Sequence, residues 1–194
     1  MWNYLGSPMT TTPQGRVLSR ERSAAGAASP GLALRPLIAV KLWENPCWFS
    51  FRINHLGFHF NLPVYSWIEQ RYGLVRPEYM VIYSLGLRDG LAAKDVCASS
   101  GFPKNTLSRA IRKLQRRKLI RRAVDPRDGR SYVLRLTAEG RQIFEETLLP
   151  LVEREQRMLS ALNAEEQRTL STLLARLVEE SHKWPTQLVV EKED

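Results

Sequence analysis

The apolar positions between residues 46 and 72 recur at the spacing of one helical face. They fall at i, i+4, i+7 and i+11 in the order Phe49, Ile53, Leu56 and Phe60. This pattern predicts a helix over 46–72. Pro63 is expected to kink or interrupt it, because a proline ring clashes with the carbonyl four residues earlier.

Three shorter helices are predicted next. The first runs from Arg76 to Arg88 with Pro77 in its first turn. The segments "AKDVCASSG" and "PKNTLSRAIRKLQRRK" follow, separated by a turn at Gly101, and two helices joined by a tight glycine turn form a helix-turn-helix. Helical spacing predicts that the second of them buries Leu107, Ala110, Ile111 and Leu114.

A strand-like segment follows the helix-turn-helix. Residues 131–136 alternate with a period of two, which predicts a half-buried strand with Tyr132, Leu134 and Leu136 on one face. The preceding "DPRDGR" is predicted to hold Arg127 and Arg130 at the tip of a glycine-containing hairpin turn.

Two amphipathic helices close the predicted fold. Thr137 is the predicted N-cap of the first, which is expected to kink or break near Pro150. Asn163 and Glu166 predict a capping box for the second. Its apolar positions are Leu170, Leu173, Leu174, Leu177 and Val178. These helices carry more apolar surface than one small domain covers, so we expect a homodimer.

The expected fold class is mainly α with a small β-wing, a winged helix-turn-helix flanked by N- and C-terminal dimerisation helices. Residues 1–45 show no sustained period and predict a flexible extension. We assign 46–74 to a dimerisation helix, 75–136 to the winged helix-turn-helix lobe and 137–194 to C-terminal dimerisation helices.

The positive charge is concentrated in one short region. Residues 104–130 contain eleven Lys or Arg and two acids, a net charge of +9, which equals that of the whole chain. Such confinement is typical of a polyanion-binding surface. Arg109 is a candidate for reading guanine, whereas Lys104, Arg112 and Lys113, with Arg116, Arg121 and Arg122, are suited to phosphates.

Several other functions find little support in the sequence. The two cysteines are too few for a disulfide framework or a zinc knuckle, which favours a reducing cytoplasm. No apolar run approaches the roughly 18 residues of a membrane span. Gly-rich phosphate loops and nucleophile motifs are absent, and His55 and His59 have no evident further ligands. We therefore expect no enzyme, no cofactor and no metal.

The motifs resemble those of the MarR family of bacterial winged-helix transcription regulators, over roughly residues 72–150. "NTLSRAIRKLQRRKLIRR" resembles the family's recognition helix and first wing strand, "DPRDGR" matches its D-x-R-D-x-R wing tip, and "LTAEG" matches its "LTxxG". The resemblance implies a homodimer on pseudo-palindromic operators in double-stranded DNA, often a repressor released by a small aromatic or oxidising signal.

The resemblance also implies roles for single residues. Arg127 and Arg130 match wing arginines that approach the minor groove. Asp128 matches an acid that braces the wing against a recognition-helix arginine, here Arg109 or Arg112. Ala92 replaces a hydroxyl residue that often caps the helix before recognition. The matching major-groove positions are Asn105, Thr106, Ser108 and Arg109.

A second stripe on the first predicted helix suggests an effector site. It consists of Trp48, Arg52, His55 and His59. An aromatic plate with Arg and His suits a small aromatic or other apolar molecule that carries an anionic group. In the alternative, Arg52 and the histidines pair with acids across the dimer interface.

Two further alternatives concern the kind of regulator. Cys47 precedes the first helix, where the family's hydroperoxide-sensing branch keeps its reactive thiol, although a lone cysteine is more often a packing residue. A winged helix used only for protein contacts is the other alternative. A hydrophobic recognition face would mark it, and Ser108 and Arg109 argue against it.

Overall fold

A computed structural model describes residues 36–185 and 187 of the chain. The described residues fall into two compact units, divided between Phe51 and Arg52. In chain order the elements are α1 (Pro36–Trp43), α2 (Trp48–Tyr72), α3 (Arg76–Leu87), α4 (Ala93–Ser100), α5 (Lys104–Arg116), β1 (Ile120–Asp125), β2 (Asp128–Leu136), α6 (Ala138–Leu159) and α7 (Ala164–Glu180). A short 3-10 turn follows at Ser181–Lys183. The expected fold class, mainly helical with a two-stranded wing, is confirmed.

The smaller unit contains α1 and the start of α2. Helix α1 occupies residues 36–43, so the prediction of a flexible extension as far as residue 45 was wrong there. Helix α1 begins at Pro36. A proline is tolerated at the first position of a helix, because its missing N–H needs no partner there. Residues 1–35 of the predicted extension lie outside the described residues.

Neither internal proline ends its helix. Helix α2 continues through Pro63 and α6 continues through Pro150. Of the two predicted outcomes at each proline, a kink or a break, the break does not occur. Pro63 has no N–H to donate to the carbonyl of His59, four residues earlier. The Nη2 of Arg154 on α6 donates to that carbonyl instead. A tertiary contact thus supplies the His59 carbonyl with the hydrogen-bond donor that Pro63 cannot provide.

The core of the larger unit lies where α3 packs against α5 and α6. The predicted stripe on α5 is confirmed, because Leu107, Ala110, Ile111 and Leu114 are all buried. Gly101 ends α4 in the left-handed conformation, with φ of 70°, as expected for the tight turn of a helix-turn-helix. The turn fixes α5 with its polar side chains facing outward.

The wing is an antiparallel hairpin of β1 and β2. Pairing runs from Ile120 opposite Leu136 to Asp125 opposite Asp128, with a bulge between Val124 and Asp125. The tip is therefore Pro126 and Arg127. Gly129 lies within β2, so the predicted glycine turn was wrong.

The burial of β2 also differs from the predicted alternation. Tyr132 is 54% exposed, whereas Val133 is 3% exposed. The guanidinium carbon of Arg122 lies over the Tyr132 ring, 4.3 Å from its centroid. Leu91 pairs with the adjacent Leu134, whose N–H donates to the Leu91 carbonyl at 2.8 Å. Val133 lines a cavity together with Leu91 and Ala92 of the segment before α4.

Both predicted caps in the C-terminal part are confirmed. Thr137 accepts a hydrogen bond from the Gly140 N–H at 3.2 Å, and Asn163 forms a reciprocal capping box with Glu166. Helix α7 buries none of its residues in the protomer. Among the described helices, none combines the length and apolar character that crossing a bilayer would require.

Candidate nucleic-acid interface

The face of α5 opposite its buried stripe carries the predicted DNA-contacting side chains. Lys104, Asn105, Arg109 and Arg112 are exposed there, and Thr106 and Ser108 are half-buried. The Ser108 hydroxyl donates to the Lys104 carbonyl at 2.8 Å, so its oxygen remains able to accept a hydrogen bond. The geometry thus brings six of the predicted residues onto one polar, positively charged surface.

The wing tip explains the D-x-R-D-x-R spacing in physical terms. Asp125 Oδ1 accepts from the Arg127 N–H at 2.9 Å, and Asp128 Oδ1 accepts from the Arg130 N–H at 3.1 Å. Each aspartate therefore folds the backbone two residues ahead of it into a local turn. Arg127 and Arg130 are exposed at the end of the hairpin.

The residue that braces the wing differs from the predicted one. Asp128, expected to pair with Arg109 or Arg112, instead makes the local bond to Arg130. The bracing ion pair joins Arg135 to Asp89, with 2.7 Å between Nη1 and Oδ2. Asp89 Oδ1 also accepts from the Leu136 N–H at 3.2 Å. Sequence reasoning missed this pair, because its members are 46 residues apart and match no motif.

Two basic side chains at the C-terminal end of α5 bond to other elements of the protein. Lys113, predicted to contact phosphate, forms an ion pair with Glu78 at 2.7 Å. Arg117 donates to the carbonyls of Tyr72 and Gly73, both at 2.8 Å. Their contacts distinguish them from the outward side chains of α5.

The predicted cap substitution is confirmed at α4. Ala92 is the N-cap residue and makes no side-chain cap hydrogen bond. A helix N-terminus without such a bond leaves its first N–H groups to other partners.

The predicted effector and redox residues lie near or on α2. Cys47 directly precedes α2, and both Cys47 and Trp48 are exposed. Within the protomer, Cys47 is therefore not a packing residue. In the larger unit, the rings of His55 and His59 are 4.4 Å apart, and Arg52 is half-buried. Among the described residues, no three His, Cys, Asp or Glu side chains are grouped to hold a metal.

Two cavities lie farther along α2. One of about 360 Å³ is lined by Pro63 and Trp67 of α2 and by Arg154 and Arg157 of α6. The other, of about 230 Å³, is lined by three phenols, those of Tyr65, Tyr79 and Tyr83. Burial raises the pKa of Tyr79 to about 12 and also raises that of Tyr65. Both phenols are therefore neutral hydrogen-bonding groups at physiological pH.

Comparison with known proteins places this geometry in a family. The model described as MarR family matches residues 72–131. The transcriptional regulator BilQ of Clostridium symbiosum is 31% identical over 99 residues, which are 51% of this chain and 68% of that protein. Across the curated relatives that we compared, the match spans 65 to 83% of their length.

Solved structures share the fold. The DNA complex of Staphylococcus aureus MepR has a TM-score of 0.59 at 24% identity, covering 68% of this chain and 95% of that one. Streptomyces coelicolor PcaV, in complex with its natural ligand, has a TM-score of 0.56 at 25% identity, covering 72% and 96%. With the winged helix-turn-helix and its basic face, these matches show that the chain belongs to the MarR family of DNA-binding transcriptional regulators.

Proposed function

We propose that this regulator binds pseudo-palindromic operators in double-stranded DNA as a homodimer and acts in the cytoplasm as a ligand-responsive repressor. The observation that carries the proposal is the concentration of the chain's net charge of +9 in residues 104–130. That segment contains α5, the first wing strand β1 and the wing tip. Side chains of α5 are suited to the major groove and the wing arginines to the minor groove.

The dimer is supported by apolar side chains that the protomer leaves exposed. On α7, Leu173 is 50% exposed and Val178 is 71% exposed, and single-protomer packing buries no residue of that helix. Helix α2 shows the same feature at Phe49, Ile53, Leu56, Phe58 and Leu62. Apolar surfaces of this extent mark protein interfaces, and a second copy would cover them.

Ligand response is proposed from the chemistry along α2. Arg52 supplies a cation and the paired rings of His55 and His59 supply hydrogen-bonding groups, which suits a small aromatic or other apolar molecule with an anionic group. Trp48, the fourth predicted effector residue, belongs to the smaller unit. PcaV, a structural relative, is known in complex with a natural ligand.

The redox alternative depends on the exposed thiol of Cys47 at the start of α2. Reactive cysteines often occupy exposed positions at helix N-termini. The protein-interaction alternative is disfavoured by the exposed Arg109 and Arg112 on the recognition face.

We expect DNA binding to weaken steeply with salt. Each neutralised phosphate releases counterions, so six to ten phosphate contacts cost about 10³- to 10⁵-fold in affinity between roughly 50 and 200 mM salt. Fluorescence anisotropy with a duplex enriched from a random pool measures this dependence, and sedimentation measures the stoichiometry. A salt-independent affinity, or a monomer bound to one half-site, would contradict the proposal.

Two arginines of α5 should differ in what they contribute. Arg109→Ala is expected to relax sequence choice at one base pair, at a cost of about 1–3 kcal/mol, because a guanidinium can contact both O6 and N7 of guanine. Arg116→Ala should weaken all duplexes alike, because phosphate contacts carry no sequence information. Binding to single-base variants of the enriched duplex separates the two effects. Equal losses on specific and random DNA for both variants would show the division to be wrong.

A further inference from the structure

The recognition helix is held at its C-terminal end by two cations that belong to the basic segment. We propose that Lys113 and Arg117 are positioning residues that set the orientation of α5, and that neither is a phosphate contact. Glu78 and the end of α2 are the groups they hold. This inference rests on the proposed DNA binding and adds to it a mechanism for sequence selectivity.

The first contact joins α5 to α3. The Lys113 ammonium lies 2.7 Å from Glu78 Oε1, and the Glu78 side chain is only 5% exposed. Among the described residues, the buried Oε2 of Glu78 has no hydrogen-bond partner. A buried carboxylate requires a compensating charge, and Lys113 supplies it. The ammonium is therefore directed to α3.

Helix polarity favours the same arrangement. Glu78 lies in the first turn of α3 and Lys113 lies in the last turn of α5. A carboxylate is stabilised near a helix N-terminus and a cation near a C-terminus. The ion pair thus links the two helix ends at which its charges are favourable.

The second contact joins the residue after α5 to α2. Arg117 Nη1 donates to the Gly73 carbonyl and Nη2 to the Tyr72 carbonyl, both at 2.8 Å. Helix α2 ends at Tyr72, and Gly73 follows in the left-handed conformation with φ of 62°. Carbonyls at a helix C-terminus lack intrahelical donors. The planar guanidinium satisfies the last carbonyl of α2 and the carbonyl that follows it at once, which a lysine could not do in the same geometry.

These contacts divide the basic segment into two functional sets. The Lys113 side chain is 44% exposed and Arg117 is exposed, but both bond to groups of the protein near α3 and α2. Lys104, Arg109 and Arg112 are exposed on α5. The positioning set should affect how well α5 fits one sequence. The outward set should determine how strongly the protein is attracted to any duplex.

The test compares salt dependence with selectivity in full-length variants. Affinities are measured from low to high salt on an enriched duplex and on a scrambled duplex of the same composition. Arg116→Met, the matched control, should reduce the slope of log K against log salt by about 0.9 on both duplexes. Lys113→Met and Arg117→Met should leave the slope on the scrambled duplex unchanged, while the specific-to-scrambled ratio falls about tenfold, the loss expected for one misplaced base contact.

Conservative variants separate positioning from general damage to the fold. Lys113→Arg retains the ion pair and should keep the ratio. Arg117→Lys retains the charge but loses the planar fork, so the ratio should fall as it does in Arg117→Met. In the double variant Glu78→Gln with Lys113→Met, the specific-to-scrambled ratio should fall no further than in Lys113→Met alone, because the two side chains act as a pair. If Lys113→Met fails to fold, Lys113→Arg and this double variant carry the test.

A slope reduced by about 0.9 on the scrambled duplex for Lys113→Met or Arg117→Met would identify a phosphate contact and overturn the inference. An unchanged selectivity ratio would also overturn it. Absence of salt-dependent binding by the wild-type protein to either duplex would instead contradict the proposed DNA binding itself.

Discussion

Replacement of Gly140 by alanine is expected to lower the free energy of unfolding by about 3 kcal/mol, the scale of a severe steric conflict in a packed interior. A Cβ atom at this position would lie 2.1 Å from the Leu119 carbonyl oxygen and 3.2 Å from Leu136 Cδ2. That carbonyl already accepts from the Thr137 N–H and hydroxyl, both at 3.1 Å. The backbone at the start of the wing would therefore have to move.

Urea unfolding of Gly140→Ala and Gly129→Ala makes the comparison. Gly129 is the matched control, because a Cβ there meets nothing within 4 Å. The free energy of unfolding of Gly129→Ala should lie within about 0.5 kcal/mol of the wild-type value, as is usual for surface changes. Alanine ordinarily stabilises a helix relative to glycine by about 1 kcal/mol, so a wild-type or higher stability for Gly140→Ala would show that the contact is readily relieved.

The same contacts explain why the sequence predicted this part of the fold well. In "LTAEG", Thr137 caps α6 through the Gly140 N–H, and Gly140 makes room for the Leu119 carbonyl. In "DPRDGR", each aspartate accepts from the amide two residues ahead. These contacts join residues two to four positions apart, or the two ends of one hairpin. Short sequence motifs are therefore enough to predict them. The buried stripe of α5 has the same local origin.

Long-range contacts account for what the sequence did not predict. Nothing in the residues around Pro63 indicates that Arg154, far along the chain, donates to the His59 carbonyl, which Pro63 leaves without an N–H donor. The Arg135 and Asp89 pair likewise joins residues 46 positions apart. Lys113 is indistinguishable from its basic neighbours until Glu78 is placed beside it. A charge count detects the interface but cannot separate cations that face DNA from those that face the protein.

Replacing Leu173 and Leu177 together by glutamate is expected to convert the regulator into a folded monomer with operator affinity reduced by about 10²- to 10⁴-fold. Leu173 is 50% exposed and Leu177 is 40% exposed in the protomer, so charge on this stripe costs the single chain little. In the proposed dimer the stripe would be buried, and an unpaired charge there is strongly unfavourable. Linked binding modules gain about 10²- to 10⁴-fold over single ones, which is the gain that dissociation removes.

The matched control makes the same change in net charge on the opposite side of α7. Arg168 and Thr172 are exposed and lie about half a turn from the centre of the leucine stripe, given 3.6 residues per turn. Arg168→Gln with Thr172→Glu therefore makes the same change in net charge without entering the proposed interface. Sedimentation should show a monomer for the leucine variant and a dimer for the control, and anisotropy on the enriched duplex should show the affinity loss only for the former. If both variants lose affinity equally, the loss comes from general repulsion of DNA by added negative charge. A leucine variant that still sediments as a dimer would place the interface elsewhere, because a second copy could not then be covering the apolar face of α7.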